Sequence, residues 1–190
     1  MEKYFLNNKN IGDFLKTKNV KKFELNENDS NFWNFFIAWK GCAEYEKLRL
    51  FNQTKIQEKQ LKIEFQEKLA SSKLKRKLVA IENLSENKTS LATIIMLAII
   101  EKINILFISN HSYYLCENVD GPFAIFGEID TIAKKDMKLE GKIERTAVDV
   151  FLKPITNYKL KELQDLHKIT GMTLKKTKKE LYDDITEYMK

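Results

Sequence analysis

The run "NFWNFFIAWKGCAEYEKLRL", residues 31–50, constrains the fold more than any other part of the chain. Its aromatic side chains recur at the three- and four-residue spacing of a helix, and Asp29 or Ser30 in front of them is a typical N-cap. Trp33 and Ile37 fall on another side, so this helix is apolar almost all round. A helix of that kind must be buried. The sequence therefore predicts a core built around one aromatic helix.

Two further helices are predicted from the spacing of apolar residues. Between Thr54 and Leu69, apolar residues recur every fourth position while Lys, Glu and Gln fill the other faces, which is typical of a half-exposed helix. The apolar run after Thr89 and Ser90, either of which can cap it, predicts a helix through Lys102.

Short strands are predicted around and after this last helix. Residues 103–108, "INILFI", have the composition of a buried strand, and residues 113–117, "YYLCE", can return antiparallel after a turn. Residues 21–25 can form a short strand, and a turn at Gly121 precedes another. We expect residues 133–145 to be a loop or a frayed helix. The sequence thus predicts an α+β fold, with a helix-rich N-terminal domain that includes a small β-hairpin or sheet.

Charge and cysteine content limit the possible partners. The chain of 190 residues carries a net charge of +6, which is compatible with an anionic partner. Its two cysteines lack metal-ligand spacing, so we predict neither a disulfide nor a zinc site, and an intracellular location. The N-terminus lacks the apolar stretch of a signal peptide, and the longest apolar run is about half of what a membrane-spanning helix requires. We expect no membrane partner.

No catalytic signature stands out in the sequence. There is no Gly-rich phosphate loop or HExxH motif. His111 is expected in a hairpin turn and His167 on the polar side of a C-terminal helix, and neither has a partner at a recognisable spacing. Cys42 and Cys116 are expected to be buried structural thiols. We therefore predict a protein without enzymatic activity, cofactor or metal.

The order of elements in the larger part resembles that of papain-like proteases of the OTU type. The segments that carry the resemblance are "NFWNFF", "LATIIMLAIIEKINILFI" and "SYYL". Members of that family place a nucleophilic cysteine at the start of the early helix and a general-base histidine after the later strands. Here Asn34 stands near the cysteine position and no histidine follows "GPFAIFG". The resemblance implies a scaffold that has lost its catalytic pair.

The chain also resembles a group of proteins encoded by nucleocytoplasmic large DNA viruses. The segments behind this resemblance are "NFWNFFIAWKGCAEYEK", "KINILFISNHSYYLCE" and "YKLKELQDL" followed by "KKTKKELYDDI". None of them is a catalytic motif. The resemblance implies a viral source, and with it a location in the host cytoplasm or nucleus, or in the virion.

A small helical module is predicted at residues 154–190, after a larger domain of residues 1–150. Pro154 ends the preceding element, and Gly171 can stop a helix. The first helix carries apolar residues at intervals of three: Leu160, Leu163, Leu166 and Ile169. The second carries Leu181, Ile185, Tyr188 and Met189 on one side. Such a helical hairpin has a small core, so we expect it to be marginally stable alone or to lean on the larger domain.

This module resembles the SAP domain and related helix-extended-helix units, including the N-terminal unit of the Rho termination factor. The matching positions are Leu160, Leu163, Gly171, Met172, the basic run Lys175 to Lys179, Leu181 and Ile185. Lys176 departs from the pattern, because the family usually has glycine there. The resemblance implies binding to double-stranded DNA, or sometimes RNA, mainly through the backbone.

Four lysines lie at the predicted start of the second helix. Thr177 and Glu180 form a capping box, which places Lys178 and Lys179 in the first turn. Each lysine there costs a few tenths of a kcal/mol against the helix dipole, whereas a bound phosphate favours both the lysines and the free N–H groups. The predicted nucleic-acid contacts are Lys159, Lys175, Lys176, Thr177, Lys178 and Lys179. The alternative is a lysine-rich surface loop with no ligand.

A second basic cluster, "KLKRK", lies between the predicted helices of the larger domain. It consists of Lys73, Lys75, Arg76 and Lys77. A solvated helix end or connector is the simpler interpretation, and a phosphate-contacting patch is the alternative.

From these features we predict a non-enzymatic protein that binds nucleic acid, with DNA favoured over RNA, as an accessory in viral replication, transcription or packaging. The N-terminal domain would then contact a protein partner. The alternatives are an interaction or virion-structural protein, with or without an inactive papain-like fold, and a protease-like enzyme.

Overall fold

The computed structural model describes Leu25, residues 27–173, Lys175 and residues 177–190. Apart from Leu25, the strand expected over residues 21–25 lies outside them. The helices in this part of the chain are α1 (Ser30–Lys40), α2 (Cys42–Leu50), α3 (Thr54–Ser71), α4 (Lys77–Leu84), α5 (Leu91–Glu101), α6 (Leu160–Thr170) and α7 (Lys178–Met189). Within these described ranges, no helix is both long and apolar enough to cross a membrane.

A small mixed sheet lies between α5 and α6 in the chain. Its strands are β1 (Ile105–Ile108), β2 (Ser112–Cys116), β3 (Phe123–Ile125), β4 (Thr131–Ile132) and β5 (Ile143–Glu144). Their order across the sheet is β4-β3-β1-β2-β5. The pairs β1–β2 and β3–β4 are antiparallel, whereas β1–β3 and β2–β5 are parallel. The fold is therefore α+β, as the sequence predicts.

The aromatic helix forms and is buried as expected. Asp29 is its N-cap, and the Asp29 carboxylate accepts a hydrogen bond from the Phe32 N–H at 3.1 Å. Trp33 and Ile37 are buried together with the phenylalanines. The helix does not continue through residue 50, because Gly41 has φ 90° and ψ 157° and separates α1 from α2. Cys42 therefore begins a new helix and is half-buried, whereas the sequence predicts a buried thiol at this position.

Gly41→Ala is expected to destabilise the protein by about 1–3 kcal/mol, since only glycine adopts this backbone region without strain. Space is not the obstacle, because a Cβ at Gly41 would meet nothing within 4 Å. The free energy of unfolding from urea titration measures the effect. Unchanged stability in the alanine variant would contradict the strain argument.

The predicted apolar faces of the other large helices are buried. Leu61, Phe65 and Leu69 lie in the core on the inner face of α3. Ser90 caps α5, and Lys102 ends it in a left-handed conformation. One hydrophobic cluster contains buried residues from all five helices α1 to α5 and from the strands β1 and β2.

The chain between β3 and α6 differs from the sequence expectation. Residues 133–145 were expected to be a loop or frayed helix, and they contain one 3-10 turn, Lys134–Asp136, and strand β5. Ile143 of β5 pairs with Ser112 of β2 and is buried. Two residues of strand are too few to show a period in sequence, so the pairing depends on tertiary contact.

The two C-terminal helices pack together and form a second cluster with the end of the larger domain. The buried members of this cluster are Ile143, Leu152, Leu163, Leu181, Ile185 and Met189. Leu160 and Ile169 were expected on the inner face of α6, but they are 44% and 38% exposed. His167, expected on the polar side, is buried instead, because α6 packs through Leu163 and His167, which are four residues apart.

Candidate nucleic-acid interface

The start of α7 has the capping box that the sequence predicts. Thr177 is the N-cap, and its Oγ1 accepts a hydrogen bond from the Glu180 N–H at 3.3 Å. The Glu180 carboxylate accepts from the Thr177 N–H at 3.2 Å and from the Thr177 hydroxyl at 2.7 Å. These hydrogen bonds from Thr177, with a smaller contribution from Lys175, lower the pKa of Glu180. The helix start is thus fixed by Thr177 and Glu180.

The lysines around this start face solvent. Lys175 and Lys179 are exposed and Lys178 is half-buried, whereas Lys176 lies outside the described residues. In the described part of the chain, none of these three lysines forms an ion pair, although eight other pairs involve Lys or Arg. No carboxylate of the described chain therefore lies within ion-pair distance of these lysines, and Glu180 interacts with Lys175 only at longer range. We call the described residues Lys175, Thr177, Lys178 and Lys179 the basic edge.

The other end of α7 is fixed against the sheet. The Ser112 hydroxyl donates to the Met189 carbonyl at 3.2 Å, and the Tyr188 hydroxyl donates to the Gly141 carbonyl at 2.8 Å. The rings of His111 and Tyr188 are 4.3 Å apart between centroids. Because α7 has 12 residues, its lysine-bearing end lies about 18 Å along the helix from this attachment. The C-terminal end of α7 is therefore in contact with the sheet region.

The guanidinium of Arg145 lies near the C-terminal end of α7, because it contacts the Ser112 hydroxyl that binds Met189. Arg145 Nε donates to the same Ser112 hydroxyl at 3.0 Å, and its Nη1 donates to the Val148 carbonyl at 3.0 Å. A cation beside a helix C-terminus is favourable because that end carries partial negative charge. The α7 helix thus has lysines at its N-terminal end and Arg145 near its C-terminal end. Only the charge near the C-terminal end interacts favourably with the helix dipole.

Lys159 lies at the start of α6 rather than in the first turn of α7. It is exposed, and its backbone N–H donates to the Glu162 carboxylate at 2.5 Å. Next to it, the rings of Tyr158 and Tyr182 are 6.3 Å apart between centroids, and the Tyr182 hydroxyl donates to the Lys153 carbonyl at 3.0 Å. The start of α6 therefore contacts α7 one turn after Lys178.

His167 links the two helices from within. Its Nε2 lies 3.1 Å from Oδ2 of Asp184 on α7, and the histidine is only 1% exposed. This contact across the hairpin holds the two helices together in addition to the apolar cluster. Sequence reasoning missed it, although the spacing of four from Leu163 to His167 matches that of Leu181, Ile185 and Met189 on α7.

The second basic cluster lies where α3 connects to α4. Lys73, Lys75 and Arg76 are exposed in the connector. The Lys77 Nζ donates to the carbonyls of Ala70 and Ser72 at 2.5 and 2.8 Å. Lys77 therefore binds the C-terminal carbonyls of α3 and is less available to a ligand than its three neighbours.

The residues considered for catalysis lie apart from one another. His111 is in the β1–β2 turn and His167 is in the helical hairpin, and no hydrogen bond joins either to Asn34 in the described residues. Burial raises the pKa of the Cys116 thiol despite a hydrogen bond from Asn118, as expected of a structural thiol. Over the described ranges, no group of three or more His, Cys, Asp or Glu residues is placed to hold a metal ion.

No protein-family model, curated protein or solved structure shows a significant match to this chain.

Proposed function

We propose that this protein binds nucleic acid, double-stranded DNA in preference to RNA, through the basic edge together with Lys176 and Lys159. The observation that carries the proposal is that Lys175, Lys178 and Lys179, at the capped N-terminus of α7, form no ion pair within the described residues. Their positive charge lies at the positive end of the helix dipole, an arrangement that a phosphate makes favourable. The role would be that of an accessory factor, in replication, transcription or packaging of a viral genome.

Binding of this kind depends on the phosphate backbone. Lysines are point charges, and the basic edge has no Arg, Asn or Gln that could read base edges, so sequence selectivity is expected to be weak. If about three phosphates are neutralised, the logarithm of the association constant should fall with log salt at a slope of about −2.7. Affinity should then drop about 40-fold between 50 and 200 mM salt.

Charge reversal at the basic edge tests the proposal directly. We expect that changing four lysines to Glu abolishes salt-dependent binding to a short duplex, measured by fluorescence anisotropy, while the far-ultraviolet circular dichroism stays the same. The lysines are Lys175, Lys176, Lys178 and Lys179. The Thr177–Glu180 capping box is kept, so α7 should still form.

A matched control separates the site from the overall charge. The control variant reverses four exposed lysines of the larger domain and so makes the same change in net charge: Lys55, Lys59, Lys88 and Lys135. It should keep most of the affinity. Equal losses in the two variants would reject the basic edge as the binding site.

A third variant with Lys73, Lys75 and Arg76 changed to Glu measures what the α3–α4 connector contributes to the affinity for the duplex.

A second candidate function, protein interaction through the larger domain, is favoured by a separate observation. Six large apolar side chains on or beside α2, α3 and α4 are more than half exposed: Leu50, Phe51, Ile56, Ile63, Leu78 and Val79. Ile56 and Ile63 are seven residues apart, so they share the outer face of α3. Exposed apolar residues in series are typical of interaction surfaces. A photo-crosslinking residue at position 63 should capture a protein partner, and Ile56→Ser should reduce that capture.

A further inference from the structure

Thr177 is the one described residue of the basic edge with a nucleophilic hydroxyl. In sequence it stands between Lys175 and Lys176 on one side and Lys178 and Lys179 on the other. It is exposed, and its backbone is extended, with φ −98° and ψ 147°. Residues 171–173, in the same link, are also exposed and lie outside the helices. Thr177 is therefore an exposed residue with an extended backbone and lysines on both sides in sequence, and its hydroxyl donates to the exposed Glu180 side chain rather than to a helix carbonyl.

The other hydroxyls of the helical hairpin are placed differently. The Thr170 hydroxyl donates to the His167 carbonyl at 2.7 Å, and the Thr186 hydroxyl donates to the Tyr182 carbonyl at 2.8 Å. Both are half-buried within helices. Thr173 is exposed in the link, but it has lysines on its C-terminal side only. Among the described threonines of the hairpin, Thr177 alone combines an exposed extended backbone with lysines on both sides.

We propose that Thr177 is phosphorylated by a protein kinase that selects basic sequences, and that the phosphate switches off nucleic-acid binding. This inference rests on the proposed function. In the reaction, Thr177 Oγ1 attacks the γ-phosphorus of ATP and forms a new O–P bond. The bond from the γ-phosphorus to the bridging oxygen breaks, ADP leaves with the electron pair, and the hydroxyl proton passes to the base of the kinase.

The phosphate would act through charge and position. It adds a charge of about −1.5 to −2 and three strong acceptor oxygens. Attached to the N-cap residue, it lies beside the free N–H groups of α7 and among the lysines, where the phosphate of a nucleic acid would bind. It also repels the Glu180 carboxylate, which in the unmodified chain accepts a hydrogen bond from the Thr177 hydroxyl. The helix start keeps an anionic cap, so α7 persists while its attraction for a polyanion is lost.

The experiment uses the full chain, ATP and a purified basophilic serine/threonine kinase, with the site mapped by mass spectrometry. We expect phosphate on Thr177 and at least about a tenfold loss of affinity for a short duplex at low salt, because the phosphate offsets about half of the charge of the four lysines and occupies the place of a nucleic-acid phosphate. Thr177→Asn is the control, since asparagine also caps helices but cannot accept a phosphoryl group from this kinase. Treatment with the kinase should leave the affinity of this variant for the duplex at the value measured before treatment, whereas the affinity of the kinase-treated wild-type chain should fall.

Protein made with phosphothreonine encoded at position 177 measures the effect on binding without the kinase. Phosphate found on other residues only, or an encoded phosphoprotein that binds DNA as tightly as the unmodified chain, would overturn the inference. If the unmodified chain does not bind the duplex at low salt, the proposed function itself fails and the switch fails with it. These outcomes are distinguishable, because site mapping does not depend on DNA binding.

Discussion

Replacing Asp29 with alanine is expected to lower the free energy of unfolding by about 3–5 kcal/mol, because it removes one partner of a buried ion pair. Asp29 is 1% exposed, and its Oδ2 lies 2.7 Å from the Nζ of Lys62 on α3. The Thr89 N–H and hydroxyl donate to the same carboxylate at 3.0 and 2.6 Å. One side chain thus joins the start of α1 to α3 and to the segment before α5. Urea titration measures the loss.

Lys62→Met serves as the matched variant for this network. It removes the cation but leaves Asp29 with the donors of Thr89 and Phe32, so we expect a smaller loss than in Asp29→Ala. The Lys62 Nζ also lies 3.0 Å from Glu58, whose carboxylate accepts the Trp33 indole N–H at 2.8 Å. A loss from Lys62→Met that equals or exceeds that from Asp29→Ala would show that the lysine, not the carboxylate, organises the network.

The same network predicts a dependence of stability on acid. Burial alone would raise the pKa of Asp29, but the hydrogen bonds from Lys62, Thr89 and Phe32 outweigh it and hold this pKa below its ordinary value of 3.8. A carboxyl with a lowered folded-state pKa stabilises the protein above its unfolded pKa. That contribution is lost as pH falls from the ordinary value through the folded one. Asp29→Asn should reduce this acid dependence, measured by urea titration across the acidic range.

The features that sequence predicted are those that depend on neighbours a few residues apart. The Asp29 cap, the Thr177–Glu180 capping box and the β1–β2 hairpin each involve short separations. Local spacing also placed Leu181 and Ile185 on the inner face of α7. The basic edge could be foreseen for the same reason, because its lysines and its cap are contiguous in the chain.

The features that sequence missed join distant residues. Asp29 and Thr89 are 60 positions apart, and Ser112 and Met189 are 77 apart, so no periodicity indicates either contact. The burial of His167 depends on α7, because the Asp184 carboxylate lies within hydrogen-bond distance of its Nε2 and satisfies this buried polar atom. The lack of ion pairs at the basic edge is also a tertiary property. The sequence shows that no acidic residue lies among these lysines. Only the folded structure shows that no carboxylate from another described segment comes within ion-pair distance of Lys175, Lys178 or Lys179.

Phe65→Ala is expected to destabilise the protein by about 3–5 kcal/mol, since it leaves a cavity in the aromatic core. The ring of Phe65 is 1% exposed, and its centroid lies 5.6 Å from that of Phe35 and 5.4 Å from that of Trp39. Phe65→Leu fills most of the space and should cost about 1–1.5 kcal/mol. Urea titration of both variants checks the ranking. A loss below about 1 kcal/mol in Phe65→Ala would mean that the neighbouring rings collapse into the space.

The effect of Phe65→Ala on DNA binding follows from how the two clusters are built. Phe65 belongs to the cluster that contains the helices α1 to α5 and the strands β1 and β2, whereas α7, which carries the basic edge, packs in the second cluster through Leu181 and Ile185. At temperatures where it stays folded, Phe65→Ala should therefore bind the duplex as tightly as the unaltered chain. Leu181→Ala, which removes a side chain beneath the first turns of α7, should weaken stability and binding together. If Phe65→Ala weakened binding as much as Leu181→Ala, the position of the lysines would depend on the aromatic core, and the hairpin could not act as a separately supported binding element.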